Sequence, residues 1–416
     1  MNREQGPSET GGEGRVLAQP WKAECLTKSK AQRRVVITGA GAVTPLGENL
    51  ATTWDAWKSG RSGIGPVRRF DAASWNLRTA AEVKEFDARA HFRAPKAMKL
   101  VDRKALFAVA AASMAAESAG LREENFPMDC VGVCIGAGSS EYGLEGIARA
   151  LADTACPGSS MDIRFFGRRI LSGLSPLWLL VNLPNMVSAH VAIQLGIQGP
   201  NSTITTDWVA GAQAIGEAFG WIQNNEADAV LAGGAESAIS PLAFAAYEQG
   251  GVFSLAPGGK PDQLVVGEGA AILVLEEREH ALNRGAQILG EICSYASASM
   301  TATAGSGGAL SVTMGRVMEE AGWEQRDLTA VAQATMGNTE QREVERNALR
   351  ESFKGKGEEL PLIDFKSKIG HTLAASGAIE LALLLKLAEG ARGPVRLLCN
   401  SLGYLGQAAS LAVSSY

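Results

Sequence analysis

Residues 200–213 read Pro-Asn-Ser-Thr-Ile-Thr-Thr-Asp-Trp-Val-Ala-Gly-Ala-Gln, a β-branched segment that runs directly into small residues. The pattern predicts a strand, Ser202 to Thr206, turning sharply into a helix, Val209 to Gln223. Such an elbow is a place to hold a nucleophile, because the positive end of the helix dipole stabilises an anion such as a thiolate. Trp208 stands at the turn, and an indole cannot act as that nucleophile. The six cysteines, at 25, 130, 134, 156, 293 and 399, offer no replacement. Cys399 ends Val395-Arg-Leu-Leu-Cys399, a buried-strand pattern in which a thiol is inert core, and nothing near any cysteine would depress its pKa. With no CxxC spacing, neither a disulfide framework nor a metal site is expected. Gly39-Ala-Gly41 after a strand invites a dinucleotide reading, but the third glycine is missing and position 44 is Thr. It reads as a tight strand-to-loop turn, and no cofactor is expected.

The elements that must position the elbow follow an alternating pattern. Strands are predicted at 34–38, 131–136, 202–206, 228–232 and 271–276, and again at 288–293, 329–334, 361–365, 395–400 and 409–414. Helical spacing separates them, at Lys104–Ala119 and Val209–Gln223 in the first set and near 309–322, 340–353 and 372–388 in the second. The expectation is an α/β fold with covered sheets, in which one pattern occurs twice. It divides into a tail at 1–32, a first half at 33–284 and a second at 285–416.

Composition sets the outer limits. A chain of 416 residues, 46% hydrophobic with a net charge of −5, can bury a large core. Without a basic stripe or interleaved aromatics, nucleic-acid binding is not expected. No apolar run reaches the roughly 18 residues that span a bilayer, so no membrane partner is expected. Met1 to Gln32 is rich in Gly, Ser, Glu and Lys and lacks an apolar h-region. It reads as a disordered tail and not a signal peptide, which makes a cytoplasmic location the default.

Five ordered segments resemble the β-ketoacyl-acyl-carrier-protein synthase (ketosynthase) family of the thiolase superfamily, from Arg34 to Tyr416. Arg34-Val-Val-Ile-Thr-Gly-Ala-Gly-Ala-Val-Thr-Pro-Leu-Gly47 is similar to the opening strand and turn. Leu183-Pro-Asn-Met186 through Gly199-Pro200-Asn201 resembles the approach to the family's Thr-Ala-Cys-Ala-Ser-Gly elbow, in which Ala-Cys is here Asp207-Trp208 and Gly211 is kept. Ala227 to Ser237, Val266 to Glu276 and Lys366-Ser-Lys-Ile-Gly-His371 complete the series. The resemblance implies the thiolase fold, two related halves forming a five-layered αβαβα sandwich.

It also implies which residues to inspect. The family uses a cysteine to accept an acyl chain and two histidines to promote decarboxylation of a malonyl unit and stabilise the enolate. The first histidine's loop is best matched by Gln333-Ala-Thr-Met-Gly-Asn-Thr339, which puts Thr335 in its place. The second is His371, with Lys366 before it and Glu380 a helical stretch later. The gating loop, rich in Gly and Phe in the family, is here Asn400-Ser-Leu-Gly-Tyr-Leu-Gly-Gln-Ala408. Tyr404 follows Gly403 at the gate, and Leu405 replaces a glycine whose backbone freedom would serve a strained turn. The link from Glu389 to Val395 and the segment 296–308 are short for the family.

The resemblance implies a chain-length-factor-like partner of an active ketosynthase, with an acyl-carrier protein as the other partner. It would work in type II polyketide or fatty-acid-like biosynthesis, paired through Asn201–Thr206. The alternatives are a non-catalytic scaffold for an acyl-carrier protein, or a malonyl-carrier decarboxylase, which would require both histidines.

Overall fold

The computed structural model describes residues 33–415, apart from 94, 125, 139–144, 155–161, 250–263, 301–307, 337–338 and 354–359. The expected disordered tail at 1–32 therefore lies outside the described residues.

Ten strands form one continuous ladder. The first five are β1 (Val35–Val43), β2 (Val131–Ala137), β3 (Asn201–Ile204), β4 (Ala229–Glu236) and β5 (Gly269–Glu277). The second five are β6 (Gly290–Ser299), β7 (Ala330–Ala332), β8 (Leu362–Ile363), β9 (Val395–Leu402) and β10 (Gln407–Ser415). Their order is β3-β2-β4-β5-β1 followed by β6-β10-β9-β7-β8, so each set of five repeats one order and the sets meet at β1 and β6. The seam is brief: Val35, Val36 and Ile37 face Ile292, Glu291 and Gly290. In both sets the outer three strands run parallel and the next two antiparallel.

Side-chain alternation along the strands assigns the layers. In β5, Ala271, Leu273 and Leu275 join one core while Ala270, Ile272 and Val274 join another, as the period of two requires. In β10, Ala409, Leu411 and Val413 point into that same first core, and Ala408 and Ala412 into a third. The shared core holds two helices between the strand sets, Ala210–Gln223 and Ser376–Ala388. Arg103–Ala119 and Met186–Leu195 cover the first set from outside; Gly308–Ala321 and Thr339–Ser352 cover the second. In chain order these are α1 (Arg103–Ala119), α2 (Met186–Leu195), α3 (Ala210–Gln223), α4 (Gly308–Ala321), α5 (Thr339–Ser352) and α6 (Ser376–Ala388). Helix, sheet, helix, sheet, helix is the expected five-layered arrangement.

Gly39-Ala-Gly41 is neither a phosphate loop nor the expected turn. Strand β1 continues to Val43, with a register shift between Ile37 and Gly39. A Cβ on Gly41 would lie 2.2 Å from the carbonyl oxygen of Ala111, and one on Gly39 2.4 Å from that of Ala115. The two glycines let the alanine-rich face of α1 rest on the strand backbone. Strands β7 and β8 are shorter than expected, because the chain leaves the ladder to supply Gln333–Met336 and Lys366. Helix α6 begins at Ser376, after a single 3₁₀ turn at Leu373–Ala375, so it starts later than the helix expected near 372–388.

Gly41→Ala should therefore destabilise the protein by about 1–3 kcal/mol, since the helix must move away from the strand. Gly315→Ala, within α4 where an added Cβ meets nothing within 4 Å, should stabilise it by about 0.4–1 kcal/mol. Melting temperatures of the two variants should move in opposite directions; a shared direction would contradict the packing described.

Candidate functional site

The elbow is sharper than the sequence suggests. Strand β3 ends at Ile204, and a 3₁₀ turn, Asp207–Val209, leads into α3. Asp207 adopts φ +59°, a left-handed conformation that is uncommon for a side-chain-bearing residue but tolerated by Asp. Glycines hold the turn against its neighbours. A Cβ on Gly136 would lie 2.2 Å from the carbonyl carbon of Ala210; on Gly211 and Gly234 it would lie 2.5 and 2.3 Å from the carbonyl oxygen of Ala374. The start of α3 thus touches the loop after His371 backbone to backbone.

That contact brings Trp208 onto His371. The indole is 3% exposed, with its ring centre 4.6 Å from the imidazole and 5.9 Å from the Tyr404 ring, tilted against both. It belongs to an apolar cluster that includes Leu77, Ile239, Phe244, Met336 and Leu373. The His371 backbone is fixed on both sides, its N–H donating to Val265 at 2.7 Å and its carbonyl accepting from Gly267 at 2.9 Å. Its Nδ1 accepts the Leu373 N–H at 3.1 Å, so the neutral ring carries its proton on Nε2. Burial, reinforced by the Lys366 charge, holds the imidazole pKa well below its ordinary value. His371 is a neutral imidazole at pH 7.

Behind the stack lies a nest of buried charges. Lys366 Nζ donates to Glu380 Oε1 and, at 2.9 Å, to the Gln333 carbonyl, both charged side chains being almost fully buried. Burial outweighs the Lys366 charge and pushes the Glu380 carboxyl up to about 7. Its Oε2 has no hydrogen-bond partner among the described residues. Thr335 is also buried and donates its hydroxyl to Glu345, which accepts the backbone N–H groups of Ala334 and Thr335 at 2.6 and 3.1 Å as well. Burial raises the Glu345 pKa against those hydrogen bonds.

The gate residues form the turn between β9 and β10. Gly403 donates its N–H to the Gln407 carbonyl at 2.7 Å. Leu405 is not in the left-handed region; the residue that needs glycine's freedom is Gly406, at φ +86°. The missing glycine anticipated at Leu405 is thus supplied one position later. Tyr404 and Leu405 are exposed at the mouth of the stack, 40% and 65%.

None of the described cysteines is primed for attack. Burial raises the Cys399 pKa and pushes Cys134 up to about 12, while Cys130 and Cys293 also lie above the ordinary thiol value. Cys25 and Cys156 lie outside the described residues. The same residues contain no group of His, Cys, Asp and Glu able to hold a metal, and no helix long and apolar enough to cross a membrane.

The structure thus joins Trp208, His371 and Tyr404 in one stack and sets Lys366, Glu380 and Thr335 in the nest behind it. Sequence reasoning missed Glu345, a carboxylate on a charge-rich helix that also buries Ala348 and Leu349. It also missed the part played by Gly136 and Gly234, which look like ordinary strand residues. A Glu ten positions after Thr335 was the available signal for the first, and small residues recurring near strand ends for the second.

Comparison with known proteins bears on the family and the fold. The family profile "Beta-ketoacyl synthase, N-terminal domain" matches residues 32–281, and "Beta-ketoacyl synthase, C-terminal domain" matches residues 286–395. Over 375 residues the chain is 34% identical to 3-oxoacyl-[acyl-carrier-protein] synthase 2 of Synechocystis sp., covering 86% of each protein. The Staphylococcus aureus protein of the same name is 33% identical over 365 residues, covering 84% of each. Among solved structures, the ishigamide ketosynthase/chain length factor superposes with a TM-score of 0.79 at 25% identity, covering 93% of this chain and 100% of that one. A beta-ketoacyl synthase from Burkholderia phymatum superposes with a TM-score of 0.75 at 25% identity, covering 92% and 100%. With this ordered set of motifs on a thiolase fold, the chain belongs to the beta-ketoacyl synthase family.

Proposed function

We propose that this chain is a ketosynthase homologue without condensing chemistry of its own, which pairs with an active ketosynthase and bounds the space in which the partner's acyl chain grows. The observation that carries the reading is the indole of Trp208 at the elbow, packed on His371 beneath Tyr404. A side chain with no nucleophilic atom occupies the position from which a thiolate would act. Thr335 supports the same reading, since its hydroxyl is already committed to Glu345 and is no base near pH 7. That engagement also weighs against a malonyl decarboxylase, which needs a second imidazole. The similarity to a ketosynthase/chain length factor adds support for the paired arrangement.

The interface would use β3, the outermost strand of its set, whose outer edge pairs with no other strand among the described residues. An open edge is a template for strand pairing. Pairing there would bring a partner's elbow beside this one, so that each subunit could wall the other's tunnel while acyl-carrier protein delivers to the active member.

The isolated protein, incubated with acyl-loaded carrier protein, should gain no mass by intact-protein mass spectrometry. An acyl adduct on any residue would overturn the reading. Trp208→Ala should destabilise the fold by about 3–5 kcal/mol by opening a cavity. Trp208→Cys should be destabilised comparably and remain unable to condense malonyl units, because Thr335 still withholds the first imidazole. Recovery of substantial condensation by that single change would show the surrounding site to be complete.

A further inference from the structure

The two strand sets meet over three residue pairs and then part. Strand β1 stays on β5 as far as Val43, but β6 accompanies it only from Val35 to Ile37. The Leu289 N–H, donating to the Ile37 carbonyl at 2.8 Å, is the last rung between them. Past that rung the chain at Gln287 and Ile288 stands off from Ala40 and Gly41, and a cleft of about 490 Å³ opens in the seam. Met114 and Ser118 of α1, the start of the helix Leu50–Lys58 and the end of α6 close its other sides. None of its lining residues belongs to the elbow, the His371 loop or the gate. A concave site of this volume is large enough for a small molecule.

One wall of the cleft is main chain. From Gly39 to Val43, β1 has a strand beside it on the β5 side alone. An edge residue of an antiparallel strand turns its N–H and its C=O to the same side, so what lies there must offer an acceptor and a donor together. The remaining walls give hydrocarbon from Leu50, Met114, Leu289 and Leu385, and uncharged polar groups from Ser118 and Gln287. Lys386 and Glu389 are the charged lining residues among those described, and they pair with each other at 2.6 Å. No charge is left over to hold a carboxylate, a phosphate or an amine. A secondary amide meets both demands, since it brings one donor and one acceptor, as an added strand does, and no charge.

We propose that this cleft is a binding site for a small uncharged amide with an aliphatic body. The amide pairs with the free edge of β1, and the body lies among Leu50, Met114, Leu289 and Leu385. A molecule held there touches both strand sets at the point where their ladder stops. It therefore braces the seam and stabilises the folded chain in proportion to its occupancy. The inference is independent of the reading of Trp208, because the two sites share no residue.

The test adds N-acetyl-leucine N-methylamide to the full-length native protein carrying isotope-labelled methionine methyl groups. The Met114 resonance, assigned by its loss in Met114→Leu, should shift to saturation, and the melting temperature should rise. The Met336 resonance, which reports on the cluster around Trp208, should stay in place. The methyl ester of N-acetyl-leucine lacks the second N–H and should bind about fivefold more weakly, the loss of roughly one hydrogen bond. Ser118→Phe, which fills the cleft from an exposed position on α1, should remove both responses, while Ser118→Ala should keep them. No Met114 shift at any soluble concentration would overturn the proposal. So would a probe that moves Met336 in place of Met114, an ester that binds as tightly as the amide, or a folded Ser118→Phe protein that responds like the native chain. The ester comparison uses the native chain and stands even where that variant fails to fold.

Discussion

The carbonyl oxygen of Ala374 rests against two glycines, Gly211 at the start of the elbow helix and Gly234 in the neighbouring strand. Everything at the site depends on that contact. Any side chain at either glycine would push the His371 loop away from the elbow, because the obstruction is backbone and cannot rotate aside. The closeness of positions 208 and 371 is thus enforced by the main chain, whichever side chain stands at 208. The scaffold can hold a reacting pair there, and it holds an indole against an imidazole equally well.

The buried charges behind the stack persist for a related reason. Lys366 and Glu380 pair through Oε1 in a region with almost no access to water, while Glu380 Oε2 is left without a partner among the described residues. Removing one partner of such a pair typically costs about 3–5 kcal/mol, because the other is left as an uncompensated buried charge. Glu345 is tied in the same way to the Gln333–Met336 loop through the backbone of Ala334 and Thr335. Polar groups of this kind keep the loops in place on structural grounds alone. Their presence behind Trp208 follows from this structural role and needs no chemistry to explain it.

Much of this was legible in the sequence. The strand and helix periods pointed to the repeated α/β pattern, and the ordered motifs singled out Trp208, Thr335, His371, Lys366 and Glu380 for inspection one by one. Three features were hidden. The glycines of β1 looked like a turn because the residues that exclude a Cβ, Ala111 and Ala115, lie some 70 positions away. The need for glycine at the gate fell on Gly406 and not Leu405, a one-residue offset that only backbone angles reveal. The stacking of Tyr404 on Trp208 joins residues nearly 200 positions apart, and no local period encodes it.

The central claim is that the space between the elbow and His371 is filled by aromatic packing and takes no acyl chain. A crystal structure of the protein co-purified with a cognate ketosynthase, soaked with a non-hydrolysable acyl-pantetheine mimic, tests this most directly. The account predicts acyl density in the partner's tunnel, with Trp208 still packed on His371. Acyl density between Trp208 and His371, with the indole swung out, would contradict it.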